Sequence, residues 1–345
     1  MEFWQKVHWF TTTDCTRKCR ICFRPIFSTQ KARAEKLAEI LAKNAKKVVL
    51  TGGESLLFGE LDRVIEILNA GGVDISLHTN ADLLTKKRLE YLASRVDEIA
   101  IPIDSLHPQT QDYLRGPKAI KSFKRAYEML QDTNLRVGVH TVVTAINASH
   151  VNAIYDYICR GKFTQWSVYE FNDEIVADGL TSLQRFQEIE RLKGKPATEN
   201  DGGVNCLLAK FLLLEPQFAR DKRVRFAGVK DYDRNPYFFV NSFGEALYTN
   251  WFSQGKRTNI GNLVTEGFEV ISKKAQEAEE QGPLFNEELF AETEQNMPLW
   301  ARYVWQGNFF DEEIENLHPR YHQRFAQLAK LYRNRLVRQG VIKRK

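Results

Sequence analysis

The sequence predicts an α/β fold, a partial (β/α)6 TIM-like barrel with a C-terminal hairpin and helical extension. Three observations carry that expectation. Six β-rich apolar runs alternate with amphipathic helical stretches over the first half of the 345-residue chain, the pattern of parallel strands joined by right-handed helical crossovers. Each strand is separated from its helix by a loop rather than by another strand. The residues with chemistry to offer stand just after the strands, at the carboxyl ends where barrels and doubly wound sheets alike place ligands.

The first run, Val7 to Thr12, is followed by an amphipathic stretch from Lys31 to Lys43, and the second, Lys47 to Thr51, by one from Leu61 to Ala70. Val73 to His78 reads as the third strand, Lys86 to Ser94 as its helix, and Glu98 to Ile103 as the fourth strand. Leu135 to Val143 and Gln165 to Phe171 complete the six, with helical stretches at Ile120 to Asp132 and Ser149 to Arg160. From about Asn172 to Asp233 the pattern is irregular and helical, with a Gly-rich turn at Asp201 to Gly203. PYFFVNSFGEALYTN then reads as a hairpin about a Ser-Phe-Gly turn, and the remainder is helical and charged. The expected division is a core at residues 1–172, a connection completing it at 173–233, and a hairpin-and-helices extension at 234–345.

Composition narrows the class. A chain 43% hydrophobic can bury a large core, and no apolar stretch is long enough for a transmembrane span or a signal peptide. A cytoplasmic, reducing location is expected, because five cysteines with three tightly clustered do not make a disulfide framework. Cys159 and Cys206, far from that cluster, read as buried small hydrophobes. A net charge of +5 is mild and does not argue for nucleic acid, except at the last sixteen residues, KLYRNRLVRQGVIKRK, with seven basic groups and no acidic one.

The first strand runs into CTRKCRIC, with Cys15, Cys19 and Cys22, and the second into Gly52, Gly53 and Glu54 of VVLTGGES. Three thiolates separated by three and two residues can curl around one face of an iron–sulfur cube, leaving one iron without a protein ligand. An open iron is a place for a substrate or cosubstrate. Read alone, the same thiols could complete a zinc site with His8 or a distant residue, and Gly52-Gly53 could be an ordinary strand-to-helix turn. The later strands end in His78-Thr79-Asn80, Asp104-Ser105, and Glu170-Phe171-Asn172, and Asn147 follows the fifth shortly after its end. Asn80 and Ser105 are equally placed to cap the following helices, Arg115 to lie on the surface, and Glu170 to be a satisfied polar residue.

CTRKCRIC plus GGES, in that order and on successive β-α loops, resembles the signature of the radical SAM superfamily, and the likeness covers roughly the first half of the chain. The resemblance implies one [4Fe-4S] cluster on Cys15, Cys19 and Cys22, with S-adenosyl-L-methionine chelating the fourth iron. It implies reductive cleavage to a 5′-deoxyadenosyl radical that abstracts hydrogen, fed by an external electron donor such as flavodoxin or ferredoxin. Gly52, Gly53 and Glu54 would contact the methionyl amino group, and Asn80, Ser105 and Arg115 the ribose and carboxylate. Such contacts make physical sense, since an ammonium seeks carbonyl oxygens and a guanidinium forks onto a carboxylate. Two positions depart from the family pattern: Ile21 stands where an aromatic residue is usual, and Ser55 where proline is common.

Many relatives carry a cysteine-rich extension for further clusters, which the two remaining cysteines here do not supply. The hairpin and NIGNL resemble that extension without its cysteines and are expected to form a lid over the barrel mouth. With Cys15 so near the start, no leader-peptide or cobalamin-binding domain is expected ahead of it. The favoured partner is a small polar substrate, a nucleotide, nucleoside or sugar derivative. WSVYEF and the hairpin are diffusely similar to the viperin and molybdopterin-biosynthesis branches, and Lys256 and Arg257 could meet a phosphate. The alternative is a macromolecule, RNA or peptide, held by the basic C-terminal helix with Tyr303, Trp305, Tyr321 and Tyr332 for stacking. A non-enzymatic cluster-bearing sensor is the third reading.

Overall fold

The structure, a computed structural model, describes residues 6–22, 33–144, 150–171, 223–227, 237–249 and 257–281, and isolated positions between them. The strands are β1 (Lys6–Thr12), β2 (Lys47–Gly52), β3 (Asp74–His78), β4 (Glu98–Pro102), β5 (Arg136–Val143) and β6 (Gln165–Glu170). They continue as β7 (Val224–Ala227), β8 (Tyr237–Asn241), β9 (Glu245–Thr249) and β10 (Arg257–Asn262). All lie in one sheet, ordered β10-β9-β8-β1-β2-β3-β4-β5-β6-β7. From β8 through β7 every neighbouring pair is parallel, while β9 and β10 fold back antiparallel. This is the expected α/β class, an open partial barrel.

Helices α1 (Ala34–Asn44), α2 (Leu61–Ala70), α3 (Lys86–Ala93), α4 (Pro108–Arg115), α5 (Ala119–Gln131) and α6 (Val151–Arg160) connect the strands. They cover one face. Leu37 and Leu41 of α1, Val64 and Leu68 of α2, Phe123 of α5 and Ile154 of α6 share a core with Trp9, Leu50, Ile75, Ile101, Val139 and Trp166 of the strands. Strand side chains alternate, so the register pairs place Lys6, His8 and Phe10 of β1 on the other face. With them face Lys47, Asp74, Ser76, His78, Glu98, Arg136, His140 and Tyr169.

That second face is concave. Neighbouring strands lie about 4.8 Å apart, so a flat sheet would hold β1 and β4 roughly 14 Å apart. Instead the Arg20 amide, beyond β1, donates to Leu114 O in α4, which follows β4, at 2.9 Å. The floor of the concavity is an ion-paired layer. Lys47 Nζ lies 2.9 Å from Glu98 and 3.5 Å from Asp74, and Arg136 lies 2.6 Å from Asp74. Burial alone would raise the Glu98 pKa, but the Lys47 ammonium outweighs it and holds the carboxylate below its usual range.

Several expectations need correction. Helix α4 and strand β7 are absent from the sequence reading. PQTQDYLR is eight polar-rich residues of which Gln111 and Leu114 are buried, so its apolar stripe is too short to see. β7 is four residues long and pairs with β6 only through the fold. The hairpin does not cover the mouth: β8 joins β1 in parallel and widens the wall. Asn241 shapes its turn, Oδ1 accepting from the Phe243 and Glu245 amides at 2.9 and 3.0 Å. NIGNL supplies β10 and the start of α7 (Leu263–Glu266), which leads into α8 (Phe268–Gln281). Cys159 is exposed rather than buried, because α6 turns Val151, Ile154 and Ile158 inward and leaves position 159 outside the stripe. Phe23, Lys256, Cys206, the turn at 201–203 and the basic C-terminal helix lie outside the described residues.

Candidate active site

The cysteine loop rises from the end of β1 and is held from below by the glycines after β2. The Gly53 amide donates to Thr12 O at 2.7 Å and the Glu54 amide to Asp14 O at 2.7 Å, so the second loop extends the ladder to the residue before Cys15. A Cβ on Gly53 would sit 2.1 Å from Asp14 O, and one on Gly52 2.4 Å from Thr12 O, with Gly52 at φ +134°. Only glycine fits either place. The GG pair is therefore required first by the approach of the two loops to each other.

Glu54 then ties this pair to the third loop. Its side chain is fully buried; Oε1 accepts from Thr79 Oγ1 at 2.6 Å and from the Leu56 amide at 3.1 Å, and Oε2 accepts from the Asn80 amide at 2.7 Å. Burial pushes its pKa up, against the pull of those donors. Asn80 in turn sends Nδ2 to Thr16 Oγ1 at 2.9 Å and to Cys15 Sγ at 3.6 Å. Gly52, Gly53, Glu54 and Asn80 thus stand beside the cysteine loop, as the sequence expects, with the Glu54 carboxylate engaged inside the chain.

Arg115 ends α4 and Ser105 stands in the loop before it, at the same rim, and each makes contacts within the chain. The Arg115 guanidinium lies in an ion pair with fully buried Asp104, with Nη2 3.2 Å from Oδ1. Burial would lower its pKa, but Asp104 outweighs this and raises it. The Arg115 carbonyl accepts from Cys19 Sγ at 3.5 Å. Burial pushes the Cys19 thiol up to about 11, and the nearby Arg115 cation opposes that rise. Ser105 Oγ lies 2.7 Å from His150 Nδ1 and accepts from the His107 amide at 2.9 Å, anchoring the loop before α4. Asn147 bonds Asp104 O, Val142 O and Thr144, holding the loop after β5 closed. The backbone of Glu170 ends β6, while Ile21 packs with Leu114, Val142, Phe171 and Leu192.

Sequence reasoning missed the groups that fix the cysteine loop. Arg17, inside CTRKCRIC, is 6% exposed; it pairs with Asp82 and donates Nη1 to the Arg115 and Gly116 carbonyls at 3.2 and 3.4 Å. Asp82 also accepts from Thr16 and Ser122. Arg20 lies 3.2 Å from Glu188 and over the Tyr113 ring at 4.5 Å. A charged residue between cysteines reads as solvated in one dimension, and its partners lie some 60 to 170 residues away.

These residues fit a cluster. The three cysteines are unbridged and half-buried, and Cys15 Sγ receives the Arg17 amide at 3.4 Å as well as Asn80, the donors a thiolate accepts. Among the described residues no three His, Cys, Asp or Glu side chains converge on a point that one metal ion would occupy. A cube spreads three thiolates over three irons, so its ligands stand further apart than those of one zinc. His8, weighed above as a zinc ligand, packs on Phe239 with centroids 5.3 Å apart.

Residues 9–158 match the family model of the Radical SAM superfamily. A probable GTP 3′,8-cyclase of Methanococcus maripaludis is 26% identical over 169 residues, covering 46% of this chain and 56% of that one. An S-adenosylmethionine-dependent nucleotide dehydratase of Lacinutrix mariniflava is 22% identical over 173 residues, 45% and 36% of the two chains. The chain thus spans about half or less of the length of these relatives. Among solved structures, histidine-tagged anSMEcpe with bound AdoMet superposes with a TM-score of 0.59 over 95% of this chain and 99% of that one, at 18% identity, a likeness of fold. The loop that carries Cys15, Cys19 and Cys22 and the GGES loop clamped beneath it both fall in the matched segment, and residues 9–158 form a Radical SAM domain by that family model.

Proposed function

We propose that this chain binds S-adenosylmethionine at a four-iron, four-sulfur cluster on Cys15, Cys19 and Cys22 and takes hydrogen from a small polar substrate, a nucleotide, nucleoside or sugar derivative. When bound, the cluster and cosubstrate supply reductive cleavage of the sulfonium and the hydrogen-abstracting group. The observation that carries the reading is the clamp between loops, Gly53 N to Thr12 O and Glu54 N to Asp14 O, both 2.7 Å. It leaves the cysteine loop and the GGE backbone as one rim, over which cosubstrate and cluster would meet. Such preorganisation matters because a reacting pair misplaced by about 1 Å loses rate by roughly a hundredfold.

The chain's own residues divide the work. Arg17 and Asn80 hold Cys15, the Arg115 guanidinium favours the Cys19 thiolate by its charge, and Glu54 locks the second loop to the third. We assign the amino group of the cosubstrate to the backbone at Gly52 and Gly53, and its ribose to Asn80. Arg115 and Ser105 support the rim. Flavodoxin or ferredoxin is the proposed electron donor, and a cytoplasmic location the proposed setting; among the described residues no helix is long and apolar enough to cross a membrane. The nucleotide class is supported by the names of the two relatives above, a GTP 3′,8-cyclase and a nucleotide dehydratase.

The test is anaerobic. Protein reconstituted with iron and sulfide, reduced and given S-adenosylmethionine, is expected to release 5′-deoxyadenosine and methionine, measured by chromatography with mass detection. A reconstituted, reduced protein that binds S-adenosylmethionine but yields neither product would overturn the proposal.

A further inference from the structure

Beneath the rim, the concave face of the sheet carries a set of side chains that neither the cluster nor the cosubstrate accounts for. His78 of β3 and His140 of β5 meet with ring centroids 4.3 Å apart, and His140 lies 5.7 Å from Tyr169 of β6. The contact reaches across β4 because Ala100 and Gly138, the residues in register with His78, put no bulk between the rings. Opposite, on β1 and β8, Phe10 stacks on Phe239 at 5.3 Å and His8 lies against the same ring at 5.3 Å. Flat rings thus line both sides of the concavity.

His140 is the informative member. Both its ring nitrogens are sealed from solvent and neither has a hydrogen-bond partner among the described residues. Its neighbours do not supply one: its own carbonyl is taken by the Ile103 amide, and Glu98 below is held by Lys47 and Ser76. A buried donor and acceptor left without partners oppose folding, and a fold that keeps them calls for a reason, of which a bound group is one. Burial, with Arg115 and Lys6 adding to it and Glu98 opposing, lowers the His140 pKa to about 4, and burial lowers His78 as well. Both imidazoles are therefore neutral near pH 7, each with one N–H and one lone pair. A neutral imidazole is a poor seat for a phosphate. It suits the alternating donors and acceptors on the edge of an uncharged heteroaromatic ring, and the neighbouring aromatic rings suit its face.

We propose that His140, backed by His78 and Tyr169, contacts the substrate and reads the hydrogen-bonding edge of a nucleobase held on the concave face of the sheet. This deepens the function proposed above and rests on it: the base would lie between the ion-paired floor of Lys47, Asp74, Glu98 and Arg136 and the cysteine rim. His140 is sensitive to charges at both levels, Glu98 below and Arg115 above, as a residue between the two must be.

The experiment uses the reconstituted full chain and four unphosphorylated probes, adenosine, guanosine, cytidine and uridine, with binding followed by calorimetry and saturation-transfer NMR. At least one nucleoside is expected to bind the wild type. His140→Phe should weaken that binding by roughly tenfold, the loss of about one neutral hydrogen bond, while His140→Asn, which restores a donor and an acceptor, should recover most of it. Thermal unfolding of each variant is measured alongside; if His140→Phe does not fold, His140→Asn against His78→Phe carries the comparison. Binding of no nucleoside by the wild type, or equal binding by folded His140→Phe, overturns the inference. Cleavage of S-adenosylmethionine by the same wild-type preparation is scored separately, so cleavage without nucleoside binding sinks this inference alone, and the absence of cleavage sinks the function beneath it.

Discussion

A single methyl group tests the rim. Gly53→Ala would place a Cβ 2.1 Å from Asp14 O, backbone that has no rotamer to yield. The expected cost is about 1 to 3 kcal/mol of strain, with iron per chain after reconstitution falling severalfold, both read from urea midpoints and iron assay. Arg17→Met should act through the same loop: it removes the partner of Asp82, which keeps partial solvent access, so the loss belongs near the low end of about 3 to 5 kcal/mol. The cluster absorbance of that variant should bleach faster under chelator than the wild type's. The pH dependence at His140 has a definite sign. Its folded-state pKa is near 4 and an unfolded histidine titrates near 6.5, so between those values the unfolded chain holds more protons. The contribution is complete above about 6.5 and is lost as pH falls toward 4, with about 2 kcal/mol gone by pH 5. His78 and His8, lowered in the same direction, add to the slope. The drop in urea midpoint from pH 7 to 5 should shrink by that amount in His140→Gln; an unchanged drop would mean the imidazole is not held neutral.

At the scale of elements, strands and helices legible in the sequence are those whose period repeats. Helices α1 and α2 show Leu37 and Leu41, and Leu61, Val64, Ile65 and Leu68, all essentially without exposure, packing on each other and on the sheet. Leu41→Ala is expected to lose about 2 to 5 kcal/mol with an unchanged denaturant slope, the mark of a cavity in an intact core. α4 and β7 escaped because eight residues, or four, hold too few turns or pleats for periodicity to accumulate. The hairpin was legible as a hairpin, since YFFVN and EALYT flank a turn. Its placement was not: pairing to β1 is a contact across more than 220 residues, and an edge strand carries no mark of its partner.

For the molecule as a whole, reconstituted protein should carry about four irons and four sulfides per chain, and replacing Cys15, Cys19 and Cys22 together by alanine should abolish them. A count near eight would show a second centre. What the sequence by itself determined is local: three thiols at fixed short spacing, two glycines and a glutamate at a strand end, and the β-α rhythm that puts them on neighbouring loops. Such signals survive in one dimension because their geometry is set by covalent spacing and backbone sterics. What the tertiary structure decided is which polar groups are already engaged. Glu54 is held by Thr79 and Asn80, Arg115 by Asp104 and Ser105 by His150, whereas both ring nitrogens of His140, from an ordinary-looking β5, have no hydrogen-bond partner among the described residues. The reason is physical: curling the sheet brings β3 and β5 within ring contact, and burial makes each unpaired donor or acceptor costly. Spacing along the chain names the residues that can reach a ligand, but only the folded surroundings show which are still free to bind it.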